Sequence, residues 1–432
     1  MKFTYQGLFT GAILIMLSVT GCKKDNKPGH ISSSPIVVSS FTPASGGGGT
    51  EVLINGSNFT TDTSQLSVTL NGKKLKVIAS NTGQMMVVIS KNAGSGPILI
   101  KIGTGTATTT TDFTYQFTRR VSTLAGKGVA GYADGQGADA QFNLGGQSWY
   151  RSSGIVTDSK LNVYVADPGN HCIRKIDSLG NVSTFAGSPN SGYADGKGSA
   201  AKFSLPYGLA VDNDDNIYCV DPGNWDIRKI TPDGNAVTIA WAKAEPWYVA
   251  VDKNTGYVYY SSNAASATIY QITPSATNEI VTGLVYPGGL VFDKLGNLYA
   301  STDQVIKKFT AGDWTASIIA GQQGQVGYID TAGTAAKFAN PFGLGVDASN
   351  NIYVGENGTW DGSVSNPDQS IRFIDAKTYQ VSTFAGSATA GSANGVGKAA
   401  SFSAPIGVTV DKNGTVYVLD KNNNLIRKIV SE

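Results

Sequence analysis

Imidazole is scarce in this chain. Of its 432 residues only two are histidine, His30 and His171. A catalytic metal held by several histidines is excluded by that count, and His171 alone gives little support to a general-base mechanism. Carboxylates are plentiful, and three stand in a recurring relation to arginine: Asp167 with Arg174, Asp221 with Arg228, and Glu356 with Arg372. A carboxylate–guanidinium pair that recurs reads as a tie within a scaffold rather than as an acid–base couple. Glu245, Asp303, Glu356 and Asn263 leave an oxygen-ligated divalent ion such as calcium open. The turns DNDDN (212–216) and DKNG (411–414) lack the loop length and closing glutamate of an EF-hand, so they read as tight turns. No catalytic residue, metal ligand or cofactor is assigned.

The aromatic residues are less regular. All six tryptophans lie beyond residue 148. Trp149 with Tyr150, Trp247 with Tyr248, and also Tyr286 precede short apolar runs. Trp241 replaces a glycine that ends comparable runs. Trp225 and Trp360 fall in polar connections, and Trp360 is followed by Asp361 within the unrepeated stretch ENGTWDGSVSNPDQS (356–370). Flat rings beside polar groups suit the apolar faces of sugars, and also peptide side chains. These nine residues are the candidate ligand-binding set.

The elements that carry them are repeats. The motif glycine–hydrophobic–x–Val/Phe–Asp occurs as GIVTD (154–158), GLAVD (208–212), GLVFD (289–293), GLGVD (343–347) and GVTVD (407–411), and as YVAVD (248–252). Each is followed by a polar turn and a second strand such as NVYVAD or NIYCVD. A third strand, IRKI, and a fourth, VSTFAG, complete the unit. Four strands repeated six times specify a six-bladed β-propeller. The sixth unit ends at LIRKIVSE without a fourth strand, and an unclaimed VSTLAG stands at 121–126. That strand is expected to complete the last blade and close the ring, removing the open edges. A longer phrase, as in AGYADGQGADAQF, leads into blades one, two, five and six. Its Tyr132, Tyr193, Tyr328, Asp134, Asp195 and Asp330 recur and read as scaffold, and Phe142, Phe203, Phe338 and Phe402 are expected to be buried. Five of the six tryptophans are expected on one face of the ring, with Trp314 on the other.

The strand–turn units resemble the NHL repeat family, carried by DPGNHCIRKI and DPGNWDIRKI; blades three and four depart from that pattern. Residues 34–117 consist of short strands with turn signals, as a β-sandwich requires. Their pattern, from PIVVSSFTP through GTEVLINGSNF, resembles the IPT/TIG family of immunoglobulin-like domains, which implies a spacer or binding role and no catalytic residues. The fold class is therefore all-β: a sandwich over 34–117, then a propeller over 118–432.

Residues 1–22 read as a signal peptide ending in VTGC, which resembles a bacterial lipobox with Cys22 as the acylated residue. CKKDNKPGH resembles the start of Bacteroidota lipoproteins, and 23–33 reads as a tether. The remaining Cys172 and Cys219 read as buried free thiols. A net charge of +2 without single-sign blocks argues against a nucleic-acid partner. The expectation is an outer-membrane lipoprotein facing the exterior, binding a glycan or other extracellular ligand beside other uptake proteins. The alternatives are a protein-interaction scaffold and a metal-dependent lactonase or lyase. If Cys22 is acylated, Cys22→Ser leaves unprocessed precursor or releases the protein from membranes. Fractionation and intact mass measure this, and unchanged maturation and membrane retention would refute the anchor.

Overall fold

The computed structural model describes residues 29–145, 154–356 and 368–432. Cys22, Trp149, Tyr150, Trp360 and Asp361 lie outside the described residues. Every regular element among those described is a β-strand or a single 3-10 turn. The chain divides into two compact units, one ending at Gln116 and one running from Phe117 to Glu432.

The first unit is a sandwich. One sheet runs Val37–Thr42, Glu51–Ser57, Gln84–Val88, Lys76–Ser80, and the other runs Lys73–Lys74, Leu66–Leu70, Ile98–Ile102, Gly105–Thr108. Alternation sets the inner faces: Leu66, Val68 and Leu70 are buried, as are Ile98, Ile100 and Ile102. At the hairpin after Leu70, Asn71 and Gly72 both have positive φ (50° and 76°), as a tight two-residue turn requires.

The second unit is a ring of six antiparallel sheets. Blade two shows the pattern, with inner strand Leu209–Val211, then Ile217–Asp221, Asp226–Ile230 and outer strand Asn235–Trp241. The aspartate that ends each inner strand builds the turn after it. Asp158 Oδ1 accepts from the Lys160 and Asn162 amides, and Oδ2 accepts from the Asn162 side chain and the Tyr164 hydroxyl. Asp212, Asp293 and Asp347 repeat all four bonds. The DNDDN stretch is thus held by its own first carboxylate, Asp212.

Closure occurs through strand Arg119–Ala125, which pairs antiparallel with Leu425–Ser431, matching Val121 to Ile429 and Thr123 to Arg427. Thr118 and Glu432 exchange both backbone hydrogen bonds beyond the strand ends. Val121 and Ala125 are buried in the blade.

Four strands per blade is an undercount for half the ring. The long phrase adds a two-residue fifth strand on the outer edge: Gly135–Gln136 on blade one, Gly196–Lys197 on blade two and Gly395–Val396 on blade six. On blade five the same phrase makes a bridge from Ala332 to Gln380. The outer strands of blades three and four, Thr277–Leu284 and Ala316–Gly321, end their sheets. Cys172 and Cys219 are free and buried.

Deleting residues 118–127 removes a whole outer strand and bares Leu425–Ser431. The expected loss is several kcal/mol from a net stability of roughly 5–15 kcal/mol, seen as a lower and broader thermal transition. A deletion variant that melts with the parent would contradict the closure.

Candidate functional site

The long phrase is a clamp on a buried arginine. Arg174 is fully buried. Its guanidinium donates to the carbonyls of Gln141 and Ala133, to Asp134 at 2.7 Å and to Asp167 at 3.0 Å. It lies between the Tyr132 ring at 5.1 Å and the Phe142 ring at 5.2 Å. Arg228 sits likewise between Tyr193 and Phe203, and Arg372 between Tyr328 and Phe338. Arg427 keeps Phe402 and two phrase carbonyls, but Asn394 replaces the aspartate. Phe142, Phe203, Phe338 and Phe402 are all fully buried.

Two of the three expected pairs change partner. Arg228 meets Asp195 at 2.9 Å and Asp226 at 3.6 Å, whereas Asp221 accepts the Ser204 amide and the Asn224 side chain. Arg372 meets Asp330 and Asp368, whereas Glu356 accepts the Asn340 amide. Burial raises the pKa of Asp221, Asp226, Glu356 and Asp368. Asp221 is pushed up to about 8, with the Ser204 amide opposing and Asp226 adding to the rise. Asp226 and Asp420 are each lifted to about 6, mainly by burial, against the arginine beside them and other hydrogen bonds.

Blades three and four have neither phrase nor arginine. Ser262 and Thr302 occupy the carboxylate position there, and Tyr270 and Lys307 the arginine position. The missing phrase explains Trp241. Where a phrase follows, the outer strand ends in a glycine: Gly187, Gly321 and Gly386 have φ of 93°, 90° and 87°. A Cβ on any of them would lie 2.7–2.9 Å from the next phrase's phenylalanine. The lead into blade three brings no such ring, so a side chain fits, and Trp241 fills the place. At the lead into blade four, a Cβ on Gly283 would meet nothing within 4 Å.

Trp241 is 59% exposed, Trp225 50% and Tyr193 47%. Tyr193 and Trp241 form a tilted ring pair with centroids 5.2 Å apart. The Trp225 carbonyl accepts the Ala242 amide, which draws Trp225 to the same edge of blade two. Trp225 has φ +59° at a position where blade six places Asn424 at +49°. A large aromatic residue rarely adopts this conformation, and half-exposure recovers little of its cost. Tyr286 is also exposed, on the lead into blade four, where its amide donates to the Ala264 carbonyl.

Trp247 and Tyr248 do not join this surface. They are 3% and 2% exposed. Tyr207, Trp247, Tyr248 and Phe342 make successive edge-to-face contacts at 6.2, 6.2 and 5.5 Å across the starts of inner strands. The position before each inner-strand motif holds Tyr207, Trp247, Gly288, Phe342 and Ile406 in blades two to six. Trp247 is therefore one version of a repeated core residue. Tyr248 lines a cavity of about 680 Å³ that runs along the inner strands to the turns bearing Lys253, Lys294 and Lys412. Trp314 packs, half-buried, on Tyr259 and Phe292. Of the possible ion ligands, Asn263 and Glu245 meet each other. Among the described residues, no group of three or more His, Cys, Asp or Glu side chains is placed to hold a metal.

Two residues that sequence reasoning passed over border the exposed surface: Tyr193, which is exposed, and Asp226, which is buried beside it. Tyr193 was assigned to the scaffold because its type recurs, yet it both stacks on Arg228 and walls the patch. Asp226 stands where blades one, five and six have Cys172, Ser370 and Leu425. Its departure from the repeat was the available signal.

A family model of the IPT/TIG domain matches residues 35–117, and one of the NHL repeat matches residues 402–429. The chain is an IPT/TIG-type sandwich followed by an NHL-type propeller. A protein of unknown function from Bacteroides thetaiotaomicron shares this fold with a TM-score of 0.65 and 21% identity, covering 94% of this chain and all of its own. An auxiliary nutrient binding protein from the same species aligns with a TM-score of 0.57 and 21% identity, over 94% of this chain and 99% of that one. Protein SUPPRESSOR OF QUENCHING 1, chloroplastic, of Arabidopsis thaliana is 27% identical over 323 residues, or 71% of this chain. The chain spans only 27% of that relative's length.

The raised pKa values fix a pH trend. A carboxyl that holds its proton more tightly when folded stabilises the protein below its unfolded value near pH 4, and that contribution is lost as pH rises through the folded value. For Asp221 the window runs from about pH 4 to about pH 8. Asp221→Asn should therefore flatten the fall of melting temperature with pH across this window relative to the parent. Identical slopes in the two proteins would show that Asp221 does not titrate there.

Proposed function

We propose that this protein is a surface lipoprotein, anchored in the outer membrane through Cys22, that binds an extracellular glycan on the exposed rings of blade two. The observation that carries the reading is the exposed Tyr193–Trp241 ring pair, with Trp225 also exposed and its carbonyl bonded to the Ala242 amide that follows Trp241. Trp225 in a left-handed conformation adds weight, because nothing in blade two requires a tryptophan there. A structural relative described as a nutrient binding protein is consistent with the role. The sandwich serves as a spacer between membrane and propeller, and the glycan would be passed to other outer-membrane uptake proteins.

Stacking on an indole contributes on the order of 1–2 kcal/mol where the ring acts as an anchor. Trp225→Ala and Trp241→Ala should each weaken binding about tenfold in affinity gels or calorimetry against soluble polysaccharides. Their melting temperatures should stay near that of the parent. Trp314→Ala, which opens space against Tyr259 and Phe292, should lower the melting temperature and spare affinity. Affinity that depends on Trp314 and ignores Trp225 and Trp241 would place the ligand elsewhere. Turnover of lactones that EDTA abolishes would replace the binding role with the enzymatic one.

A further inference from the structure

The exposed rings of blade two stand beside a buried carboxylate, Asp226, at a position where blades one, five and six have Cys172, Ser370 and Leu425. Three carboxyl groups, Asp195, Asp221 and Asp226, surround Arg228, and Asp221, with its pKa pushed up to about 8, is mostly uncharged at neutral pH. Blade one sets two against Arg174, and blade six sets one, Asp420, against Arg427. Blade five also has three around Arg372, but there Gly386 and the buried Phe402 occupy the place of an exposed ring. The extra group in blade two is Asp226. It is directly opposite Trp241 across the two outer strands, so both side chains leave the same face of the sheet with Cβ atoms about 5 Å apart.

Asp226 is fully buried, and its Oδ1 atom has no hydrogen-bond partner. Its Oδ2 atom accepts from the Thr238 hydroxyl at 3.0 Å. That hydroxyl also lies 3.2 Å from the Tyr193 hydroxyl and 3.2 Å from Asp195 Oδ1. The Asp195 side chain is 46% exposed. One network therefore joins a buried carboxylate, a solvent-facing carboxylate and one ring of the exposed pair. A neutral sugar needs the rings but no surplus charge. A cation gains from both, since the electron-rich ring face and the carboxylates below it attract in the same direction.

We propose that Tyr193, Trp225 and Trp241, above Asp195 and Asp226, form a subsite for a protonated amine, so that the glycan bound here is an amino sugar with a free amine. This rests on the glycan reading above and narrows it. The ammonium sits against the Trp241–Tyr193 pair, within the roughly 6 Å of a ring centroid at which such attraction acts. Asp226 acts as a positioning charge from below and need not touch the ligand.

Calorimetry at neutral pH with three oligosaccharides of equal length tests this: glucosamine oligomers, their N-acetylated forms and cello-oligosaccharides. The amine form should bind about tenfold tighter than the other two. Raising the salt from about 0.05 M to 0.5 M should shrink that preference in the unmodified protein. Asp226→Cys, which installs the residue type of blade one, and Asp226→Asn should weaken the amine form far more than the neutral forms and so abolish most of the preference. Equal affinity for all three probes overturns the proposal, as does a preference that survives both substitutions or is indifferent to salt. If the neutral forms bind in a Trp225-dependent way without amine preference, the glycan reading stands and the amine subsite falls. If no oligosaccharide binds, both fall.

Discussion

A buried guanidinium must find acceptors for its donors, and the architecture of this ring follows from how it does so. Each of the four arginines on third strands sits at zero exposure. An uncompensated charge there would cost several kcal/mol, so a strand carrying one folds only if something wraps it. The long phrase is that wrapping: two carbonyls, one aspartate or asparagine side chain, and a phenylalanine ring below. In blades one, two and five a tyrosine closes the other side. The phrase then caps the outer edge of its blade, and the outer strand before each phrase ends in a glycine of left-handed φ. The buried arginine and the phrase are present together or absent together.

Their absence from blades three and four makes the ring asymmetric. No arginine is present, so no phrase is needed, and no phrase means no phenylalanine pressing on the preceding strand end. Trp241 is tolerated for that reason, and its exposure follows from the same gap. The candidate surface is thus a local lapse of a rule that the rest of the molecule obeys. Such a lapse is a favourable place for binding, because change there does not disturb the clamps that hold the other blades.

Much of this was legible in the chain. The six motifs, the missing fourth strand at the C-terminal end and the spare VSTLAG specify a ring and its closure, because strand completion is a matter of counting. The phenylalanines of the phrase read correctly as buried. What was not legible was which carboxylate each arginine would choose. Arg228 meets Asp226 on its own strand although Asp221 keeps the register of Asp167 in blade one, and the asparagine position of blades one, two and six becomes Asp368 in blade five. The two-residue fifth strands are too short for alternation to reveal. Trp247 was misjudged because its position repeats by role rather than by residue type: tyrosine, tryptophan, glycine, phenylalanine and isoleucine take turns in it. Asp226 was passed over for the converse reason, since attention to aromatic novelty hid a novel charge.

The closure strand also sets an order of events. Arg119–Ala125 belongs to the first stretch of the propeller to be synthesised, and its partner Leu425–Ser431 to the last. Local hairpins within blades form early, but this pairing has the longest loop to close and waits for the final residues. Until then both edges of the ring are open and able to pair wrongly. A chain threaded through a membrane from its N-terminus would carry an unfinished ring across and seal it only on the far side. For a chain exported in that way, the geometry of closure would couple the completion of folding to the completion of transport.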